Sequence, residues 1–560
     1  MSSRADKNVR IVHLSWFVVG LFTVTGFSQV HTQVIRRDDI MKRAKESHRW
    51  VVERRDIARR GMITSSDGVV LAQSEDSFEL SLDLRNVPKT SGFAVAMAEA
   101  AGVSAGEITD AMQRGVKRLA WSTLLGPGQA AKVEKVKLDW RAKGVSLRRA
   151  TARTYPLAES VSTLIGSMPD NVPAGGLENS LNKVLSGQDG MRKGLVDRTG
   201  AFLPMRMAEG STSRVDGSNV QLTLVAAIQQ EATRALRTAV ESNDATGGAA
   251  VVIDPKTGDL LAVASWPSYD PAIRAVSGAS QAYSFVYEPG STFKILTLSK
   301  ALDTGALGEH EITNCPGEWQ LGPGARVRCD SHHGNRAHGN VDPETAIAKS
   351  CNISAAKWAL AVGRDAMITF IQNCGLLKKT NAGFDHERAG LFDMNEYAKR
   401  LQTANVGFGQ SISVTPVALA SAFSMIGNHG VRMKPRLIKA IGNKEIPVEP
   451  AAKIVRPDTA DSVLHLMESV IQSDIGTGAK LRIPGYRLAG KTGTAQKIGD
   501  GDGYVSSFVG FVPATDPVAM VLVMIDNPKA GKIYGATVAG PVFRQLAKSI
   551  LWVYNVPQSN

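Results

Sequence analysis

The sequence predicts an α+β protein: a single-pass anchoring helix, an elongated mixed region, and a larger unit in which one antiparallel sheet is flanked by helices. Three observations carry this. A chain of 560 residues exceeds what one hydrophobic core holds, so it divides into several folded units. A nearly charge-free run opens it. In the second half, strand-like pairs stand at both ends with helical patterns between them, as in a sheet covered by helices.

The opening run is Ile11 to Val30, IVHLSWFVVGLFTVTGFSQV, close to the ~20 residues that span a bilayer as a helix. No A-x-A cleavage site follows, and the run is long for a signal peptide. It therefore reads as a retained transmembrane helix, residues 11–30, behind a short cytoplasmic tail, residues 1–10. Arg4, Lys7 and Arg10 precede it and Arg36, Arg37, Lys42 and Arg43 follow, so charge does not orient it. Residues 31–216 mix alternating stretches such as Phe78 to Leu84 with helical patches such as Gly92 to Ala101. The basic run Arg36 to Arg60 reads as a solvated helix and an extended arm. Turn formers at Glu209 to Gly217 mark a boundary, which leaves residues 217–560 as the second unit. There Leu222 to Val240 has helical spacing, and Ala249 to Ile253 and Leu260 to Ala264 form a strand pair about the Asp254–Gly258 turn. A second pair, Ser507 to Val512 and Ala519 to Ile525, precedes a closing helix from Gly540 to Val553.

Lys and Arg number 65 against 52 Asp and Glu, a formal charge of +13, which favours an anionic partner: nucleic acid, lipid surface or acidic polymer. No zinc-finger spacing, Walker loop or RNA-binding signature supports nucleic acid. Four cysteines are too few for a disulfide scaffold.

The strongest chemical signal is Ser291-Thr-Phe-Lys294, after Glu288-Pro-Gly290 and before a helical run. A Ser and Lys three apart share a helix face. A serine hydroxyl becomes a nucleophile when a neighbouring base takes its proton, and a lysine serves if burial or nearby positive charge lowers its pKa. Pro289-Gly290 puts Ser291 at a helix start, where free N–H groups favour an oxyanion. Such a pair alone is common on surface helices. Ser350-Cys-Asn352, 59 residues after Ser291, and Lys491-Thr-Gly493-Thr494, 200 residues after it, turn it into a specific triple of S-x-x-K, S-x-N and K-T-G.

With these motifs the chain resembles the class B penicillin-binding proteins over nearly its whole length. Arg60-Gly-Met-Ile63, Arg153-Thr-Tyr-Pro156 and Gly176-Leu-Glu178 resemble motifs of that family's non-catalytic pedestal, the penicillin-binding-protein dimerisation-like domain. The segment Tyr504 to Phe543, with Ser507-Phe-Val-Gly-Phe511, Ile525-Asp-Asn-Pro528 and Tyr534 to Phe543, is most similar to the division-specific, septal FtsI-type branch. The resemblance implies a peptidoglycan D,D-transpeptidase, inhibited by β-lactams, with residues 217–560 its penicillin-binding domain. Ser291 would attack the stem peptide between its terminal D-Ala residues, with Lys294 as general base and Ser350 relaying a proton to the leaving D-Ala. Asn352 would hold Lys294 and bind the donor backbone. Lys491 would keep the site positive, Thr492 or Thr494 would bind the terminal carboxylate, and Gly493 completes that motif. The N–H groups of Ser291 and Thr494 would form the oxyanion hole.

No metal or organic cofactor is implied. The expected location is the bacterial cytoplasmic membrane, with the catalytic unit on its outer side. Expected partners are stem peptides, β-lactams, a SEDS-type glycan polymerase and division-complex membrane proteins. No E-D-x-x-F-x-x-H glycosyltransferase signature is present, Glu75-Asp-Ser-Phe78 having the wrong spacing, and no appended C-terminal module is expected. Rival readings are an elongation-type transpeptidase, a D,D-carboxypeptidase or β-lactamase-like hydrolase, and a non-catalytic penicillin-sensing or division scaffold. Cys351 reads as a small helix residue. Cys315, Cys329, Asp330, His332, His333 and His338 fit no standard zinc spacing and read as a surface loop, in which an exported domain would let Cys315 and Cys329 form a disulfide.

Overall fold

The computed structural model describes residues 2–46, 51–195, 211–270, 280–329, 337–394, 399–497 and 503–558. They form two compact units, residues 1–59 with 187–216 and residues 60–186 with 217–560.

In the first unit a helix runs Ser2–Val30, starting inside the segment expected to be a tail, and a second helix covers Arg37–Glu46. Strand Val51–Asp56 pairs antiparallel with Gly190–Leu195. The Thr23 and Thr25 hydroxyls donate back to the Val19 and Leu21 carbonyls at 2.7 and 2.8 Å, so these polar groups are satisfied inside the helix. Leu14, Trp16, Phe17, Phe22 and Phe27 are all exposed. Among the described residues, however, no helix is long and apolar enough to cross a membrane. Described side chains begin at His13, so Ile11 and Val12 fall outside them, and His13 and Gln29 dilute what remains.

The second unit holds a five-stranded antiparallel sheet in the order Ala489–Gln496, Tyr504–Val512, Ala519–Asp526, Gly247–Ile253 and Leu260–Trp266. Its central strands are buried along their length because helices cover both faces, which is why they read as continuous apolar runs. Side chains alternate between two cores. Val521 and Val523 pack with Leu236, Phe543 and Leu546 from helices Ala226–Ser242 and Gly540–Val553. Leu522 and Met524 pack with Leu296, Phe423 and Met467 from helices Lys294–Asp303, Pro416–Ser424 and Pro457–Gln472.

A seven-stranded sheet lies in the same unit. Val70–Asp83 pairs antiparallel with Val145–Thr154, and Ile63–Thr64 runs parallel to Val220–Leu222, which in turn pairs with Ile438–Ile441. This sheet draws strands from both sides of residue 216. Beside it the three pedestal motifs meet. Glu178 is fully buried and accepts from Arg60 Nε at 2.5 Å and Arg153 Nε at 2.7 Å, both arginines being nearly buried themselves. Arg60 also donates to Asn182 Oδ1 at 2.7 Å and to the Glu178 carbonyl at 2.6 Å. Burial and the Glu178 carboxylate push the Tyr155 phenol far above its usual range.

Candidate active site

Three segments converge at the edge strand of the five-stranded sheet. Ser291 lies in a 3-10 turn, Gly290–Phe293, that runs into helix Lys294–Asp303. The turn is seated against the K-T-G strand by glycines. Gly290 has φ +57°, a conformation glycine adopts without a Cβ penalty. A Cβ on Gly493 would lie 2.2 Å from Ser507 Oγ, 2.9 Å from Thr292 Cγ2 and 3.2 Å from the Pro289 carbonyl. Gly493→Ala therefore pushes the strand from the serine turn. The expected result is acylation by penicillin slowed about 100-fold, the usual cost of moving catalytic groups by roughly an ångström, read as the second-order rate on folded protein.

The centre of the site is Ser350. Lys294, fully buried, donates to the Ser350 carbonyl at 2.6 Å and to its Oγ at 3.0 Å. From the other side Lys491, also fully buried, donates to the same Oγ at 2.9 Å and to the Thr492 carbonyl at 3.2 Å. Burial first, then the Lys294 charge, hold Lys491 well below the ordinary lysine range. The lysine expected to keep the site positive thus binds its proton less tightly, chiefly because the site is dry and secondly because Lys294 shares its hydroxyl. Ser350 itself has φ +60°, costly for a residue with a side chain. The Lys294 bond to its carbonyl and the bond from its N–H to the Ile347 carbonyl at 3.2 Å hold it there.

Asn352 opens helix Asn352–Val362, and its amide donates to the Arg328 carbonyl at 2.8 Å, so it ties the start of this helix to the end of strand Ala325–Arg328. Lys294 donates to Ser350. Thr492 Oγ1 meets Thr477 Oγ1 at 3.1 Å, and Thr494 Oγ1 accepts from the Gly535 N–H at 3.2 Å. Thr477 carries no motif and was not legible in the sequence.

Behind the S-x-N segment the structure differs from expectation. Cys315 and Cys329 are buried rather than part of a surface loop, and both are free thiols. Their sulfurs are 3.4 Å apart, beyond the about 2.05 Å of a disulfide. Cys351 joins them, its sulfur 3.5 Å from that of Cys329. Asp330, His332 and His333 lie outside the described residues.

Comparison with known proteins agrees with this geometry. Residues 248–548 match the family described as Penicillin binding protein transpeptidase domain, and residues 55–222 match Penicillin-binding Protein dimerisation domain. Peptidoglycan D,D-transpeptidase FtsI of Escherichia coli strain K12 is 31% identical over 519 residues, covering 89% of this chain and 84% of the relative. Stage V sporulation protein D of Bacillus subtilis is 29% identical over 574 residues, covering 98% and 86%. The crystal structure of penicillin binding protein 3 from Mycobacterium tuberculosis, complexed with aztreonam, superposes with a TM-score of 0.69 at 26% identity, over 90% of this chain and 98% of that one. Fold and matches together define a serine acyltransferase of the penicillin-recognising class. The chain belongs to the class B penicillin-binding proteins, and it is a serine peptidoglycan D,D-transpeptidase.

Proposed function

We propose that this chain is a septal cross-linking enzyme, anchored in the cytoplasmic membrane by its N-terminal helix, with its transpeptidase domain, residues 217–560, and pedestal, residues 31–216, outside. The observation that carries the chemistry is the shared Ser350 hydroxyl. Burial and the adjacent Lys294 charge lower the proton affinity of Lys491, so the lysine pair can supply a base at this hydroxyl. In the proposed sequence the terminal carboxylate of a stem peptide docks at Thr492 and Thr494 beside Lys491. That negative charge favours the protonated form of Lys491. Lys294 takes the Ser291 proton as Oγ attacks the carbonyl between the two D-Ala residues, and the N–H groups of Ser291 and Thr494 hold the oxyanion. Ser350 passes a proton from the lysine pair to the departing D-Ala amine, and Asn352 orients the donor backbone. The amine of a second stem peptide then attacks the acyl-enzyme and releases Ser291. A β-lactam offers the same carbonyl and carboxylate but keeps its leaving group tethered, and the relative seen with aztreonam supports the same reaction here.

The septal assignment rests on identity with FtsI and on the Tyr534 to Phe543 segment, whose Gly535 bonds Thr494. The anchor reading rests on the exposed apolar side chains of the Ser2–Val30 helix. Gly20 and Gly26 leave open space on it, where a helix of a SEDS-type polymerase or another division protein would pack closely. Depletion of the protein in its host tests the branch. Filaments with unfinished septa are expected, whereas rounded cells would assign elongation and a defect confined to sporulation would assign the other role.

A further inference from the structure

We propose that Cys315, Cys329, Cys351 and His338 hold a structural zinc ion that fastens the Ser350–Asn352 segment to the strands behind it. The four side chains come from four separate elements. Cys315 ends strand Thr313–Cys315, whose pairing with Gly339 brings His338 alongside. Cys329 follows strand Ala325–Arg328, and Cys351 caps helix Asn352–Val362. Their ligand atoms all lie within 4.8 Å of one another. The closest approaches are 3.4 Å for Cys315 and Cys329, 3.5 Å for Cys329 and Cys351, and 3.5 Å for Cys315 Sγ and His338 Nδ1. Tetrahedral zinc, with Zn–S of about 2.3 Å and Zn–N of about 2.0 Å, requires S···S near ~3.8 Å and S···N near ~3.5 Å. Small outward adjustments of the side chains meet both.

The donor set selects the metal. Three thiolates and one imidazole make a closed tetrahedral site suited to zinc, not the oxygen cage of calcium or magnesium. Ordinary buried cysteines behave as small hydrophobes and have no reason to converge on one point with a ring nitrogen. The ligand side chains also have hydrogen-bond partners of their own. The Ser354 N–H and hydroxyl both donate to Cys351 Sγ, at 3.4 and 3.2 Å. The Gly317 N–H reaches Cys315 and the Ile353 N–H reaches Cys329. Such outer hydrogen bonds orient metal ligands. As the ion binds, the three thiols lose their protons to solvent.

The consequence for catalysis is positional. Cys351 sits between Ser350, which both lysines contact, and Asn352, which bonds the carbonyl of Arg328 next to Cys329. A metal at this point would fix the left-handed Ser350 backbone from behind without touching the substrate. The four residues are therefore positioning residues.

The test uses the full chain purified under reductant, incubated with zinc chloride and dialysed against metal-free buffer. Mass-spectrometric metal analysis should find one zinc per chain, and cobalt exchanged into the site should give the strong thiolate charge-transfer absorption of a tetrahedral centre. His338→Ala should weaken zinc about 10- to 100-fold. Chelation should lower both the unfolding temperature and the rate of penicillin acylation, with zinc restoring them. Sub-stoichiometric zinc in the wild-type chain without a cobalt–thiolate band would overturn the proposal, whether or not any variant folds. A Cys315–Cys329 disulfide in protein isolated without reductant would overturn it too.

Discussion

Replacing Lys294 with arginine is expected to slow acylation of Ser291 by about 100- to 10,000-fold, the usual worth of a positioned general base, while the protein remains folded. A guanidinium keeps its proton at any pH the protein survives, so it cannot accept one from Ser291. It is also too large for the place where the Lys294 ammonium donates at 2.6 Å to the Ser350 carbonyl. Raising pH should not rescue Lys294→Arg, because no titratable base remains at that position. Acylation at the native rate would remove Lys294 from the proposed proton path.

Glu178→Ala should destabilise the unit by about 3–5 kcal/mol, because it leaves the charges of Arg60 and Arg153 buried without their shared counter-ion. Their side chains are 10% and 3% exposed and that of Glu178 is 0% exposed, so water cannot take the place of the carboxylate. The check is the urea midpoint and slope at fixed protein concentration. Removing Arg153 together with Glu178 should recover part of the loss, as the pair is then absent rather than broken. A loss under about 1 kcal/mol, the range of exposed ion pairs, would mean that this cluster does not hold the pedestal motifs together.

The parts of the site that were legible in the sequence are those whose chemistry fixes local spacing. A serine and a lysine three apart must share a helix face. In the structure Ser291 lies on a turn that runs into the helix opened by Lys294, whereas the close fit at Gly493, where a Cβ would meet Ser507 and Thr292, was visible only in the fold. The central strands were legible because burial on both faces makes them apolar throughout. What could not be read depends on contacts between distant segments. Nothing in Ile63 announces that it pairs in parallel with Val220, and Asn352 gave no sign that its amide would reach Arg328. The cysteines show the same limit. Zinc spacing rules compare neighbouring ligands, and Cys351 stood apart as the middle of S-x-N while Cys315 and Cys329 read as a loop. Only the fold puts Cys351 beside them. Two cysteines read as a loop pair say nothing of a third thiol and an imidazole next to them.

The claim on which the account turns is that Ser291 is the residue acylated within the three converging motifs. Its most direct measurement is incubation of the full chain with fluorescent penicillin, followed by mass-spectrometric mapping of the labelled peptide. The account predicts a single stoichiometric adduct on Ser291 and none on a folded Ser291→Ala variant. Undiminished labelling of that variant, or an adduct mapped to another residue such as Ser350 or Cys351, would contradict it.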